Sequence, residues 1–171
     1  PEIPVLNPVT HKDVKEGSAY KFYLEQKTNN QTLLFNGQTE SASVTYRLAT
    51  TENVAEAVDV YLEEATNGYH IYFMKGNDKV YLNVIPRDND ATKTNVVLQT
   101  LAENAAPSVY ELNTQYKYVK TACVGDEWYL GTYSTYNTMS ASEIKYIAGD
   151  NVSKIGISQF PAYFGIATPA I

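Results

Sequence analysis

Cysteine occurs once in this chain, at Cys123, so no internal disulfide can staple it. Alternation with Ala122 and Val124 puts that thiol on a buried strand face. With no histidine near it in sequence, it reads as structural rather than reactive. The missing pairs do not fix a compartment, because a chain of 171 residues can build a core without staples. Histidine is nearly absent too. His11 and His70 form no metal-spaced pair, and His70 alternates with Tyr69 and Ile71 as a solvated strand-face residue would. Runs of lysine or arginine are missing and the formal charge is −6, which disfavours nucleic acid and anionic membrane as partners. No apolar run approaches the length of about 18 residues that a spanning helix needs, so no membrane insertion is expected. The chain opens at Pro1 with no signal-like segment and reads as a piece excised from something longer.

The usual catalytic patterns are lacking as well. There is no phosphate-cradling glycine loop and no nucleophile elbow. Glu63 and Glu64 are adjacent, so on a strand they face opposite ways and cannot act as an acid/base couple. Asp88-Asn89-Asp90 lacks the spaced acids of a calcium loop and reads as a solvated turn, as do Asp126-Glu127 and Gly149-Asp150-Asn151. Asn30 and Asn151 head glycosylation triplets, which matter only in a host that uses them. No enzyme activity, metal or cofactor is expected.

What is present is tyrosine, 15 residues against five phenylalanines and one tryptophan, together with an internal repeat. Leu33-Leu34-Phe35, Tyr81-Leu82-Asn83 and Tyr129-Leu130-Gly131 place a leucine at 34, 82 and 130, steps of 48. Leu48, Val96 and Ile144 keep the same step, and tyrosine-led segments start at Tyr20, Tyr69 and Tyr116. A fixed period of this size signals a repeat architecture. Each copy divides into four short strands. Copy two gives 69–74, a Gly76-Asn77-Asp78 turn, 79–84, 95–100 and 108–113; Asn67-Gly68 joins it to copy one as a hairpin turn. Copy three gives 116–124, 127–133, 140–147 and 152–160. Short helical turns are expected at 51–56, capped by Thr51, and at 101–106.

Three four-stranded units with frequent turns predict an all-β chain closed around a pseudo-threefold axis. On period and strand count the chain resembles the β-trefoil superfamily over Tyr20 to Phe160. The resemblance implies repeats of about 18–67, 68–114 and 115–160, an entry arm at 1–17 and a tail at 161–171 that packs back on the barrel. Leu34, Leu82 and Leu130 are then expected in one core. The ricin-type Gln-x-Trp signature is missing, its nearest counterpart being Gln159-Phe160, so no galactose site carries over. The chain looks more like the trefoil-type accessory domains of secreted bacterial surface proteins and hydrolases. That implies an extracellular or cell-surface, monomeric domain of a longer chain.

One stretch concentrates ligand chemistry. Residues 127–138 hold Trp128, Tyr129, Tyr133 and Tyr136 among small hydroxyl and amide side chains. Sugars stack C–H faces on rings and need paired donors and acceptors for their hydroxyls. Alternation sends Trp128 to the face of Leu130 and Tyr129 and Tyr133 to the other. The alternative for Trp128 is a plug in the core. Copies one and two carry Asn36-Gly37-Gln38 and Ile85-Pro86-Arg87 where copy three has its aromatics. The expected site is therefore Tyr133, Tyr136 and Asn137, with Trp128 or Asp126 at its edge. The expected function is non-catalytic carbohydrate binding. A protein-interaction module (adhesin or inhibitor-like, with a host or partner protein as ligand) and a structural spacer are the alternatives.

Overall fold

The structure, a computed structural model, describes residues 6–26, 31–42, 45–87, 90–114, 118–131, 155–158 and 164–169. It is all-β apart from short 3-10 turns. In chain order the strands are β1 (Leu6–Pro8), β2 (Lys21–Gln26), β3 (Gln31–Ala42), β4 (Thr45–Thr51) and β5 (Val60–Ala65). Then come β6 (Gly68–Lys75), β7 (Asp78–Arg87), β8 (Asp90–Gln99) and β9 (Tyr110–Leu112). The last are β10 (Val119–Cys123), β11 (Asp126–Gly131), β12 (Gly156–Ser158) and β13 (Gly165–Pro169).

The single closed barrel predicted from the period is not what the ladders form. They make two antiparallel sheets, one ordered β1-β13-β2-β3-β4 and the other β12-β11-β10-β9-β6-β7-β8, with β5 added on β6. Isolated bridges tie the two together. Tyr20 and Val60 exchange backbone hydrogen bonds of 2.9 and 2.8 Å, and Leu48 and Ile155 exchange two of 3.0 Å. One buried cluster draws on both sheets, from Phe22, Phe35 and Leu48 to Ile71, Leu82, Val119, Leu130 and Phe164.

Pairing repeats along the chain. The cross-strand pairs Leu24↔Leu33, Tyr72↔Tyr81 and Lys120↔Tyr129 recur at steps of 48. Tyr20↔Val60 in the first unit has a counterpart in Tyr69↔Tyr110 in the second. β4, β8 and β12 touch one another, and Leu48, Val96 and Ile155 are wholly buried. Ile144, expected to complete that trio, lies outside the described residues.

One expectation about the core is corrected. Leu82 and Leu130 do share the main core, but Leu34 points the other way. It joins Tyr23, Ala57 and Ala167 in a smaller cluster covered by Leu6 and Val54. The pairing register is the same as in unit two, but the β2–β3 hairpin turns its other face to the main core, so in unit one Phe35 and Leu24 take the inward places. In unit three β12 pairs with β11 through Leu130↔Ile157 and falls within the expected 152–160 strand, while the expected 140–147 strand lies outside the described residues. The tail supplies the remaining strand, β13, hydrogen-bonded between β1 and β2. The entry arm is likewise built in, through β1 and through buried His11, whose Nε2 donates to the Phe164 carbonyl at 2.9 Å.

The turns follow local chemistry. The β5–β6 hairpin turns through Thr66-Asn67, with Asn67 at φ 66°, one residue earlier than the Asn-Gly pair predicts. Gly68 is needed instead for close approach, since a Cβ there would sit 2.3 Å from the Tyr110 carbonyl oxygen. The 3-10 turn Val54–Glu56 is capped by Asn53, which accepts from the Ala55 amide at 3.0 Å, while Thr51 accepts from Asn53. After β8, wholly buried Asn83 accepts from the Ser108 amide at 3.0 Å and donates to Gln99, which pins the 100–109 connection to the sheet. Between β10 and β11, Val124 and Gly125 both adopt positive φ, 51° and 85°. That geometry suits Asn-Gly and strains a β-branched residue. Replacing exposed Val124 with Asn should therefore raise stability by about 1 kcal/mol, read as a higher urea midpoint; a lower midpoint would contradict the strain.

Candidate functional site

The outer faces of the strands in units two and three carry cross-strand networks of charged and aromatic side chains. In β10, alternation buries Val119, Thr121 and Cys123 and sends Lys120 and Ala122 outward; in β11 it buries Trp128 and Leu130 and sends Glu127 and Tyr129 outward. Lys120 lies opposite Glu111 on β9 and opposite Tyr129 on β11. Its Nζ is 3.4 Å from a Glu111 carboxylate oxygen and 3.3 Å from one of Glu127. Tyr129 Oη donates to the other Glu127 oxygen at 3.0 Å. The Tyr129 ring meets Tyr118 edge-on at 5.1 Å, and Asn113 donates to the Tyr118 hydroxyl.

This network borders a cleft of about 360 Å³ between the Thr66-Asn67 turn and β9–β11. Thr66, Asn67, Glu111, Lys120, Thr121 and Glu127 supply its polar lining. Thr121 is itself committed, its hydroxyl donating to the Val109 carbonyl at 2.7 Å. Burial pulls the Lys120 ammonium down, but the hydrogen bond it donates to Glu127 and the charges of both glutamates outweigh it, and its pKa lies above the usual lysine value. The Tyr129 hydroxyl and then Lys120 hold the Glu127 carboxyl below the ordinary range. What Glu127 contributes is thus complete above an ordinary glutamate pKa and is lost only as pH falls through its depressed one. Burial and the adjacent carboxylate push the Tyr129 phenol up to about 12, so it remains a donor at neutral pH.

A related arrangement occupies the outer face of β5–β7. Tyr61 stacks on its cross-strand neighbour Tyr72 at 5.5 Å, and Tyr72 lies 5.6 Å from Tyr81. Lys79 sits over the Tyr72 ring at 4.7 Å and pairs with Glu63 at 3.1 Å; Tyr81 donates to the same carboxylate. His70 packs edge-on against Tyr81 and donates from Nδ1 to the Ser108 carbonyl. Glu63, Tyr72, Lys79 and Tyr81 correspond, at the 48-residue step, to Glu111, Lys120, Glu127 and Tyr129, so one acid and one tyrosine are kept while Tyr72 gives way to a lysine and Lys79 to a glutamate. Rings and ions here largely satisfy one another. In unit one the matching pair is Leu24 and Leu33, and Leu24 is in the core.

Of the residues singled out from sequence, Trp128 is buried in the main core beside Leu130, the plug alternative, and its Nε1 has no hydrogen-bond partner among the described residues. Asp126 is exposed at the start of β11, opposite Cys123. Cys123 is buried, and burial followed by the charge of Asp126 pushes its thiol pKa up. Tyr133, Tyr136 and Asn137 lie outside the described residues, directly along the chain from β11. Among the described residues no group of three or more His, Cys, Asp or Glu side chains could hold a metal ion, and no helix is long and apolar enough to cross a membrane.

The Glu111–Lys120–Glu127 network was not singled out from sequence. Its signal was present in the charges at outward positions of alternating strands, at the places that Glu63, Tyr72 and Lys79 hold 48 residues earlier. Compared with protein-family models, curated proteins and solved structures, the chain matches none.

Proposed function

We propose that the chain is a non-catalytic carbohydrate-binding module of β-trefoil architecture, borne outside the cell or at its surface as part of a larger bacterial protein. The trefoil reading is supported by the 48-residue recurrence of cross-strand pairs and by the mutual contact of β4, β8 and β12. The observation that carries the ligand reading is the cleft beside β11. There, carboxylates held in place by Lys120 and Tyr129 face an amide and a hydroxyl of the Thr66-Asn67 turn. Sugar hydroxyls donate and accept at once, so a mixed, preorganised set of this kind suits them. Tyr133 and Tyr136 follow this strand closely in sequence.

A Glu127→Ala, Asn67→Ala double variant should weaken sugar binding about tenfold or more in a calorimetric titration, with no turnover of the sugar by either protein. Unchanged affinity would move the site elsewhere. Protein recognition is the second reading, favoured by the stacked, half-buried Tyr61 and Tyr72 beside the Lys79–Glu63 ion pair. It predicts that Tyr61→Ala disrupts capture of a partner while sugar binding persists.

A further inference from the structure

We propose that the cleft beside β11 prefers sugars carrying a free, protonated amine over neutral, N-acetylated or acidic ones. This rests on the carbohydrate reading and specifies its ligand. One ammonium, Lys120, stands between two carboxylates, Glu111 and Glu127, and cannot neutralise both. The accessibility of these groups is unequal. The Lys120 side chain is 21% exposed, whereas those of Glu111 and Glu127 are 55% and 61% exposed. An incoming ligand therefore meets carboxylate oxygens first and finds the cation drawn back between them.

The remaining lining is neutral. Asn67 and Thr66 offer donors and acceptors for hydroxyls but no charge that would attract a uronate. A cleft of about 360 Å³ has room for a single pyranose ring with its substituents. An ammonium on that ring bridging the two glutamates would relieve their mutual repulsion. An acetyl group on the same nitrogen removes that gain, and a carboxylate reverses it.

The test is titration of the full chain at low ionic strength with three trisaccharides, of glucosamine, N-acetylglucosamine and galacturonate, and with a lysine tripeptide. Amide shifts in heteronuclear NMR spectra locate each contact. The glucosamine trimer should bind about three- to tenfold more tightly than the acetylated one, with the galacturonate weakest. Shifts should centre on Glu111, Lys120 and Glu127, and the preference should fade at high salt. A Glu111→Gln, Glu127→Gln variant should keep its thermal midpoint and lose the preference, while Lys120→Met should strengthen it. Equal binding of the acetylated trimer at these residues would overturn the amine preference and leave the carbohydrate reading standing. Equal binding of the lysine peptide, or a preference surviving the double glutamine variant, would also overturn it. Absence of binding by every sugar would overturn both readings.

Discussion

Leu82→Ala and Leu130→Ala should each destabilise the domain by about 2–5 kcal/mol, the largest single-residue losses expected here. Both side chains are wholly buried in the cluster that joins the two sheets, so truncation removes apolar contact and leaves a cavity the sheets cannot fill. For a chain of this size that is a fall of about 5–20 °C in Tm. Leu34→Ala should also be costly, being 1% exposed, but for a different reason. Leu34 packs with Tyr23 and Ala167 on the opposite face of its sheet. Its loss should therefore add to that of Leu82 within about 0.5 kcal/mol, whereas Leu34→Ala and Tyr23→Ala should be coupled. Urea denaturation of the single and double variants distinguishes the cases. Strong coupling between positions 34 and 82 would put both leucines in one core and contradict the placement described above.

Gly165→Ala is the second large effect expected, because Gly165 lies directly opposite Tyr23 in the β2–β13 ladder. An added Cβ would come within 2.3–2.5 Å of three Tyr23 ring atoms. That ring is 3% exposed and wedged in the smaller cluster, so it cannot simply swing aside. Overpacking of this kind costs about 1–3 kcal/mol or more, and Tyr23→Ala in the same chain should recover part of the loss. An unchanged Tm would mean that the C-terminal strand does not pair in this register.

These two positions mark where the sequence was informative and where it was not. Alternation in Trp128-Tyr129-Leu130 puts Trp128 on the face of Leu130, and of the two expectations for Trp128, core plug or edge of the ligand site, the structure shows the plug. Leu33-Leu34-Phe35 is apolar throughout, so a period of two cannot say which residue faces the core. The answer depends on tertiary cover. Leu6 from the entry arm and Val54 from the 3-10 turn shield the outer face of unit one, which makes an outward leucine tolerable. In unit three the expected strand 152–160 contains Gly156–Ser158, but its pairing with β11 through Leu130↔Ile157 was not legible, because a period carries no information on which strands are neighbours. The tail looked like packing material because its five-residue strand is too short to show alternation beside Pro161 and Pro169. The cleft was illegible for a related reason. Thr66, Glu111, Lys120 and Glu127 come from four separate segments that only the β6–β9–β10–β11 pairing brings together.

The most direct test of carbohydrate binding is a glycan-array screen of the full chain alongside its Tyr133→Ala, Tyr136→Ala variant, with thermal midpoints measured on both. The proposed function predicts selective, modest binding to one class of glycan by the parent chain. The variant should lose that signal with its Tm intact, because a shallow site depends on ring stacking and tolerates little loss of contact. A blank array for the parent chain, read beside a folded Tm, would contradict carbohydrate binding outright.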